Sequence, residues 1–426
     1  MLTAIVGINW GDEGKGRMVD LLASDYDVVV RYQGGNNAGH TVVNDKGKFI
    51  LNLLPSGILR ESTINVMGNG MAIDIEHLCN EIKKLTDAGI KITPDNLKIS
   101  DKAIICLPYH VLLDELEEER LGDAKFGSTR RGIAPVYSDK YMKKGIRMGD
   151  LFNFDSLKDK IIAVIEWKNL TVNCGYQHEE INADDILNWL FKYGEIIKPY
   201  ICDVSQYLYT AGDNNKNIMF EAQLGALRDI DFGIYPYTSS SSTISAYAPI
   251  GSGVPSRRID NVIGIIKAYS SCVGEGPFTA EMFGSEADRL REAGGEYGAA
   301  TGRPRRVGGF DVVASHYGVR VQGADCLALT KLDVLAYMDK IPVCTAYDIG
   351  NIRHTNFPTG DLLNHAKPVY EYFDGFGMSL SELSNCRSVK DLSVNAVKYI
   401  KFIEDAVECK IKYISVGAKR EEYIER

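Results

Sequence analysis

Two short apolar runs, each ending in a glycine-rich loop, constrain this chain more than any other feature. Leu2–Ile8 (LTAIVGI) is followed by Gly11–Gly16, and Asp27–Arg31 (DVVVR) by Gln33–Thr41 (QGGNNAGHT). Apolar residues without polar alternation mark strands buried on both faces, as parallel sheets require. Between them, Arg17–Leu22 carries Met18, Val19, Leu21 and Leu22 and reads as a helical turn or two. Glycine loops at strand C-termini are what a doubly wound sheet presents to a ligand. The chain spends 41 of its 426 residues on glycine, many beside Asp, Asn, His or Arg, where backbone amides can approach a ligand closely.

Further along, Thr41–Val43 and Phe49–Leu54 resemble a hairpin, and Asp74–Leu85 and His110–Arg120 are helix candidates. Ile161–Ile165, Asp311–Ala314, Cys326–Thr330 and Lys412–Ser415 are strand candidates. The alternation predicts an α/β fold: a large, mostly parallel central sheet flanked by helices, with nucleotide-binding glycine-rich loops at strand C-termini. No repeat or linker-like tract divides the chain, so residues 1–426 are expected to form one catalytic unit. With 45% hydrophobic residues and 13 prolines the chain is neither disordered nor collagen-like, and its net charge of −9 argues against a general nucleic-acid surface. Nine cysteines with no CxxC pair favour a reducing compartment. No signal-peptide pattern and no apolar stretch near 18 residues occur, so the expected location is the cytoplasm, without membrane attachment.

Several segments carry chemistry. Gly11-Asp12-Glu13-Gly14-Lys15-Gly16 lies between a strand and a helix, where amides and a lysine can cradle phosphates. It is not a Walker A motif, which needs glycine in place of Asn9 and Ser or Thr in place of Gly16. A tight charged turn explains it about as well. His40, ending the second loop, is a candidate general acid or phosphate donor, although a lone histidine is more often structural. Thr330-Lys331-Leu332-Asp333 resembles the NKxD element, whose carboxylate accepts from guanine N1–H and the exocyclic amine together. Thr301–Arg306 (TGRPRR) places three arginines in an acidic protein, and guanidinium forks match carboxylates or phosphates. Phe126–Lys140, Lys143–Arg147 and Asp229–Thr243 add hydroxyls and cations. Alone, each of these could be a plain loop.

Taken together and in order, these segments closely resemble the adenylosuccinate synthetase family from Ile5 to Gly417. The most specific are Asn9–Gly16 (NWGDEGKG) and Arg31–Thr41 (RYQGGNNAGHT), reinforced by Leu54–Leu59, Asp229–Asp231 with Tyr235–Tyr237, and Lys331–Leu335. The resemblance implies an α/β homodimer that ligates L-aspartate to the 6-position of inosine monophosphate, using GTP and Mg²⁺. It implies that Asp12 removes the N1 proton and, with the Gly39 carbonyl, ligates Mg²⁺. His40 would stabilise the transferring phosphoryl group. Gly11, Glu13, Gly14, Lys15 and Gly16 would hold the GTP phosphates, and Lys331, Asp333, Ser415 and Gly417 its base. Asn37, Thr129 and Ser239 would bind the substrate nucleotide, with Lys143 reaching it from the partner subunit. Thr301, Arg303 and Arg305 would bind aspartate.

The chain departs from the family at several positions. The family commonly reads Phe-Glu-Gly-Ala-Gln-Gly where this chain has Phe220–Gly225 (FEAQLG), so Leu224 replaces the glutamine expected near the 6-oxygen. A one-residue adjustment is expected to bring Gln223 into that catalytic role. Lys143 replaces an arginine, Ser239 a threonine, Ser242 an asparagine, Arg130 a glycine and Ala300 a threonine. Two other readings remain: a paralogue acting on another 6-oxopurine nucleotide such as a guanine nucleotide, and a GTP-binding module without ligase activity.

Overall fold

The computed structural model describes residues 1–44, 47–298, 302–358 and 360–426. Ten strands form the central sheet. In chain order they are β1 (Leu2–Gly7), β2 (Val28–Arg31), β3 (Ile64–Met67), β4 (Leu97–Ser100), β5 (Ile201–Cys202), β6 (Ile218–Glu221), β7 (Asn261–Lys267), β8 (Cys326–Thr330), β9 (Ile411–Ser415) and β10 (Tyr423–Glu425). Their spatial order is β10-β9-β8-β7-β1-β6-β2-β3-β4-β5, with β1 between β6 and β7. Every neighbouring pair is parallel except β9 with β10. The loops leaving β1, β2, β6, β8 and β9 therefore gather along one edge of the sheet. That shared edge is what brings together residues spread from Asn9 to Gly417.

The central strands are apolar throughout because both faces are covered. Ala4, Val6, Val28, Val30 and Phe220 pack with Val204 and Leu208 on one face. Ile5, Val29, Met219 and Ile265 pack with Met18 and Val19 on the other. Met18 and Val19 belong to α1 (Lys15–Leu22), the crossover between β1 and β2. The helices α2 (Ile75–Asp87), α3 (Pro108–Leu121), α4 (Ile133–Tyr141) and α5 (Phe154–Asn169) flank the β3–β5 side. The expected hairpin forms from His40–Asn44 and Gly47–Leu51, with His40 opposite Leu51.

Two strand expectations are corrected. Ile161–Ile165 lies inside α5, whose buried positions Leu157, Ile161, Val164, Ile165 and Lys168 recur with helical spacing. A five-residue apolar run fits either period, and the longer periodicity decides. Asp311–Ala314 is mostly helix. Phe310–Asp311 forms a short strand, and Asp311 then caps Val312–Gln322 by accepting from the Ala314 N–H at 3.0 Å. Phe310–Asp311 belongs to a smaller sheet whose other strands, Lys340–Ile349, Ile352–His354 and Lys367–Asp374, lie outside the sequence reading. Among the described residues no helix is long and apolar enough to cross a membrane.

Candidate functional site

The loop after β1 is wound tightly, with Gly11 (φ 103), Asp12 (φ 58) and Gly14 (φ 100) all in left-handed backbone. Asp12 alone carries a side chain there, a conformation that costs about 1 kcal/mol or more and concentrates at functional sites. Glu13 organises the loop from within. Its Oε1 accepts the N–H groups of Asn9 (3.1 Å) and Gly11 (2.8 Å), and its Oε2 lies 2.7 Å from Lys15 Nζ. Glu13 thus directs both side-chain oxygens at its own loop and Lys15. A Cβ on Gly225 would sit 2.4 Å from Asn9 O and 2.6 Å from Glu13 Oε1, so only glycine passes beneath. The first amides of α1, at Lys15 and Gly16, have no intrahelical acceptor and form an anion site.

His40 packs directly on this turn: a Cβ on Gly16 would lie 2.8 Å from the His40 Cβ. The imidazole is buried, and its Nδ1 lies 2.5 Å from Glu221 Oε1 at the end of β6. Burial lowers the His40 pKa more than Glu221 raises it. For Glu221, burial favours protonation, but His40, Arg31 and Ser56 outweigh it and hold the carboxyl ionised. An ionised Glu221 can only accept, so the His40 proton sits on Nδ1 and Nε2 is the free ring nitrogen. Glu221 also accepts from the Ser56 N–H (2.8 Å) and hydroxyl (2.6 Å), which fixes its own orientation.

A second group collects around Gly34–Asn37. Gly35 N–H donates to Asn37 Oδ1 at 3.2 Å. Gln33 donates to the Gln223 carbonyl (2.6 Å) and accepts from Ser241, whose hydroxyl is 2.9 Å from that of Ser239. Gln223 is fully buried; its amide donates to Gly35 O at 3.1 Å, and a Cβ on Gly34 would fall 1.7 Å from its Oε1. The side chain supports the Gly34–Gly35 turn. Glu221 pairs with Ile5 at the end of β6, and two residues beyond Gln223's neighbour Ala222 the Leu224 backbone, at φ 63, lies against Gly11.

Thr129 lies in the segment 126–132, which two carboxylates of α3 hold by its backbone. Glu118 accepts the N–H groups of Phe126 (3.1 Å), Gly127 (3.1 Å) and Ser128 (3.0 Å). Asp114 accepts the Ser128 hydroxyl (2.6 Å) and the Gly132 N–H (2.9 Å). Thr129 itself is exposed, as is Lys143 (φ 60) just beyond α4. Gly39 is half-buried beside His40.

On the other side of Asp12, Arg305 Nη2 lies 3.0 Å from Asp12 Oδ2, and its Nη1 lies 2.9 Å from Glu296 Oε2. Lys331 (φ 58) reaches Glu296 Oε1 at 3.2 Å. Asp333, its carboxyl raised by burial and opposed by Arg17 and Lys331, faces the Arg17 guanidinium. Arg17 in turn binds the Ser415 hydroxyl and the Gly417 carbonyl, so Lys331, Asp333, Ser415 and Gly417 share one corner. Arg303 is exposed on the neighbouring loop, and Thr301 and Ala300 lie outside the described residues.

The anchoring carboxylates Glu13, Glu81, Asp114, Glu118, Glu221, Asp229 and Glu296 form a common device: each accepts main-chain or cationic donors of a site loop. Most of them, with Arg17, were missed in the sequence because helix interiors and strand ends carry no motif. For Glu221, an acid closing a wholly apolar strand was the available signal. Among the described residues no three His, Cys, Asp or Glu side chains form a metal cage. Asp12, its side chain 30% exposed with one oxygen on Arg305, fits an ion such as Mg²⁺ that takes one or two carboxylates plus phosphates and waters.

The family model of adenylosuccinate synthetase matches residues 4–424. The chain is 45% identical to the adenylosuccinate synthetase of Caldanaerobacter subterraneus subsp. tengcongensis, over 99% of this chain and 98% of the relative. It is 45% identical to that of Thermodesulfovibrio yellowstonii, over 99% and 97%. The solved structure of fully ligated adenylosuccinate synthetase from Plasmodium falciparum superposes with a TM-score of 0.92 at 35% identity, covering 100% of this chain and 99% of that one. A cyanophage S-2L succinoaminodeoxyadenylate synthetase, 18% identical with a TM-score of 0.61, covers 100% of this chain and 95% of that one and shares the fold.

Proposed function

Since the chain belongs to the adenylosuccinate synthetase family of ligases, we propose that it ligates L-aspartate to the 6-position of inosine monophosphate, producing adenylosuccinate, GDP and phosphate through a 6-phosphoryl intermediate. The observation that carries this reading is Asp12, held left-handed between two glycine turns, 3.0 Å from Arg305 on a loop against which His40 packs. A carboxylate base, an oriented imidazole and an aspartate-clamping guanidinium serve ligation, whereas GTP binding alone needs none of them.

The chemistry follows from the substrate. The lactam oxygen at C6 leaves poorly, so it must be activated. Asp12 takes the N1 proton, negative charge moves to the 6-oxygen, and that oxygen attacks the GTP γ-phosphoryl group. His40, its Nδ1–H held by Glu221 and its Nε2 protonated once the anionic phosphates lie beside it, and Lys15 with the α1 amides stabilise the phosphoryl oxygens. The aspartate amine then displaces phosphate from C6, with Arg303, Arg305 and Thr301 holding the amino acid's carboxylates. Asn37, Thr129 and Ser239 take the substrate nucleotide. Lys331, Asp333, Ser415 and Gly417 take the guanine of GTP. Asp12 and the Gly39 carbonyl would hold Mg²⁺, which neutralises charge on the GTP phosphates when bound.

Residues 1–426 are taken as one catalytic unit, acting in the cytoplasm as a homodimer in which Lys143 reaches the partner's nucleotide. Exposed Tyr141 and Met142 directly precede Lys143, which supports that arrangement. One observation favours a second reading, a paralogue for another 6-oxopurine nucleotide: Leu224 lies against Gly11, beside Asp12, and offers no donor to a 6-oxygen. The test mixes purified protein with GTP, Mg²⁺, aspartate and each purine monophosphate in turn, with mass spectrometry of the products. Adenylosuccinate from inosine monophosphate is expected. A succinylated product from guanosine monophosphate alone would establish the second reading, and no product from any nucleotide would leave only GTP binding.

A further inference from the structure

Glu296 is fully buried, yet it touches three cations drawn from three separate segments. Its oxygens lie 2.9 and 3.1 Å from Lys267 Nζ at the end of β7, 2.9 Å from Arg305 Nη1 and 3.2 Å from Lys331 Nζ, and Tyr269 donates its hydroxyl as well. The main chain repeats the link, since Arg305 N–H donates to the Glu296 carbonyl at 2.9 Å. Glu296 and Arg305 are thereby held side by side, at either end of the stretch that carries Arg303. A core ion pair for stability would need Lys267 alone, and buried pairs are weak contributors to stability in any case. The two further cations are the ones assigned to substrates.

The guanidinium of Arg305 is split between two carboxylates of different duty. Nη1 is on Glu296, Nη2 is on Asp12, and Nε is buried with no partner among the described residues. Burial pushes the Glu296 carboxyl up, but Lys267, Lys331 and Arg305 together hold it well below the usual carboxylate range.

We propose that Glu296 is a positioning residue which fixes the Arg305 guanidinium and the Lys331 ammonium together, so that the aspartate clamp and the GTP-base lysine share one buried anchor. The inference rests on the substrate assignments of Arg305 and Lys331 made above. Replacing the carboxylate should therefore weaken two substrates that touch different loops, and spare the third.

The test compares KM for aspartate, GTP and inosine monophosphate in the full-length wild type, Glu296→Gln and Tyr269→Phe. Losing a charged acceptor should raise KM for both aspartate and GTP by roughly tenfold or more in Glu296→Gln, with inosine monophosphate within about twofold. Tyr269→Phe keeps the carboxylate and removes one donor, so the same two constants should rise by about two- to tenfold. It decides the matter if Glu296→Gln does not fold. A purely structural role would lower kcat through the active fraction and move no KM. Wild-type KM for aspartate in a purified variant, or an equal rise in all three constants, overturns the proposal. A wild type that forms no product overturns the substrate assignment instead, a separate failure.

Discussion

The segment carrying Thr129 offers the sharpest test of the nucleotide site, because one side chain, Glu118, holds three of its consecutive main-chain amides while Asp114 holds its far end. Glu118 is 5% exposed and accepts three consecutive main-chain N–H groups, two at Oε2 and one at Oε1. Glu118→Gln preserves shape but supplies only one acceptor oxygen. With that oxygen on Gly127 and Ser128, the amide nitrogen faces the Phe126 N–H, donor against donor. One charge-assisted bond is lost and two others become neutral. A bond to a charged group contributes about 1.5–3 kcal/mol, and because the segment is partly solvated the net loss should fall near that single-bond figure, not three times it. Charged to the nucleotide phosphate contact, this is roughly a 10–150-fold rise in KM for inosine monophosphate. Steady-state kinetics with each substrate varied in turn is the assay, with GTP and aspartate constants expected near wild type. An unchanged nucleotide KM, or an equal loss for all three substrates, would refute the idea that Glu118 presents this segment.

Other outcomes follow from the same geometry. Asp12→Asn should cut turnover about 10²–10⁴-fold or more, as loss of a general base does, while leaving the melting temperature nearly unchanged; wild-type turnover would remove Asp12 from the mechanism. Asp333→Asn should weaken GTP and improve relative use of xanthosine triphosphate, whose base presents an acceptor where guanine has a donor; unchanged kinetics with both would dismiss Asp333 as the base reader. Asp139 is buried, which favours its protonation, but His110, Lys168 and Tyr109 pull its pKa down to about 2. Its folded pKa lies below the unfolded value near 4, so its stabilisation, about 2–3 kcal/mol, is complete above pH 4 and vanishes as pH falls toward 2. Urea unfolding at pH 7 should show that loss in Asp139→Asn, and a variant as stable as wild type would contradict the pairing.

Much of this protein could be read before any coordinates. The strands Leu2–Gly7, Val28–Arg31 and Cys326–Thr330 announce themselves as apolar runs, because a strand covered on both faces has no room for polar alternation. The glycine turns around Asp12 and the pairing of Lys331 with Asp333 are local facts of the chain. Ile161–Ile165 failed because five apolar residues carry no period of their own, and α5 emerges only from its neighbours. The facing of Gln223 and Leu224 was not legible either: it depends on which strand their segment follows, and the end of β6 beside β1 puts Gln223 under Gly34 and Leu224 against Gly11.

The anchoring residues were beyond reach of the sequence for a physical cause. Glu296 meets Lys267, Arg305 and Lys331, and Arg17 meets Ser415 and Gly417, only because parallel strands deliver their C-terminal ends to one edge. Strand identity and loop chemistry are local, so the sequence determines them. Which carboxylate holds which loop depends on strand order and register across the sheet, with partners as far apart as Arg17 and Ser415, and only the tertiary structure decides that.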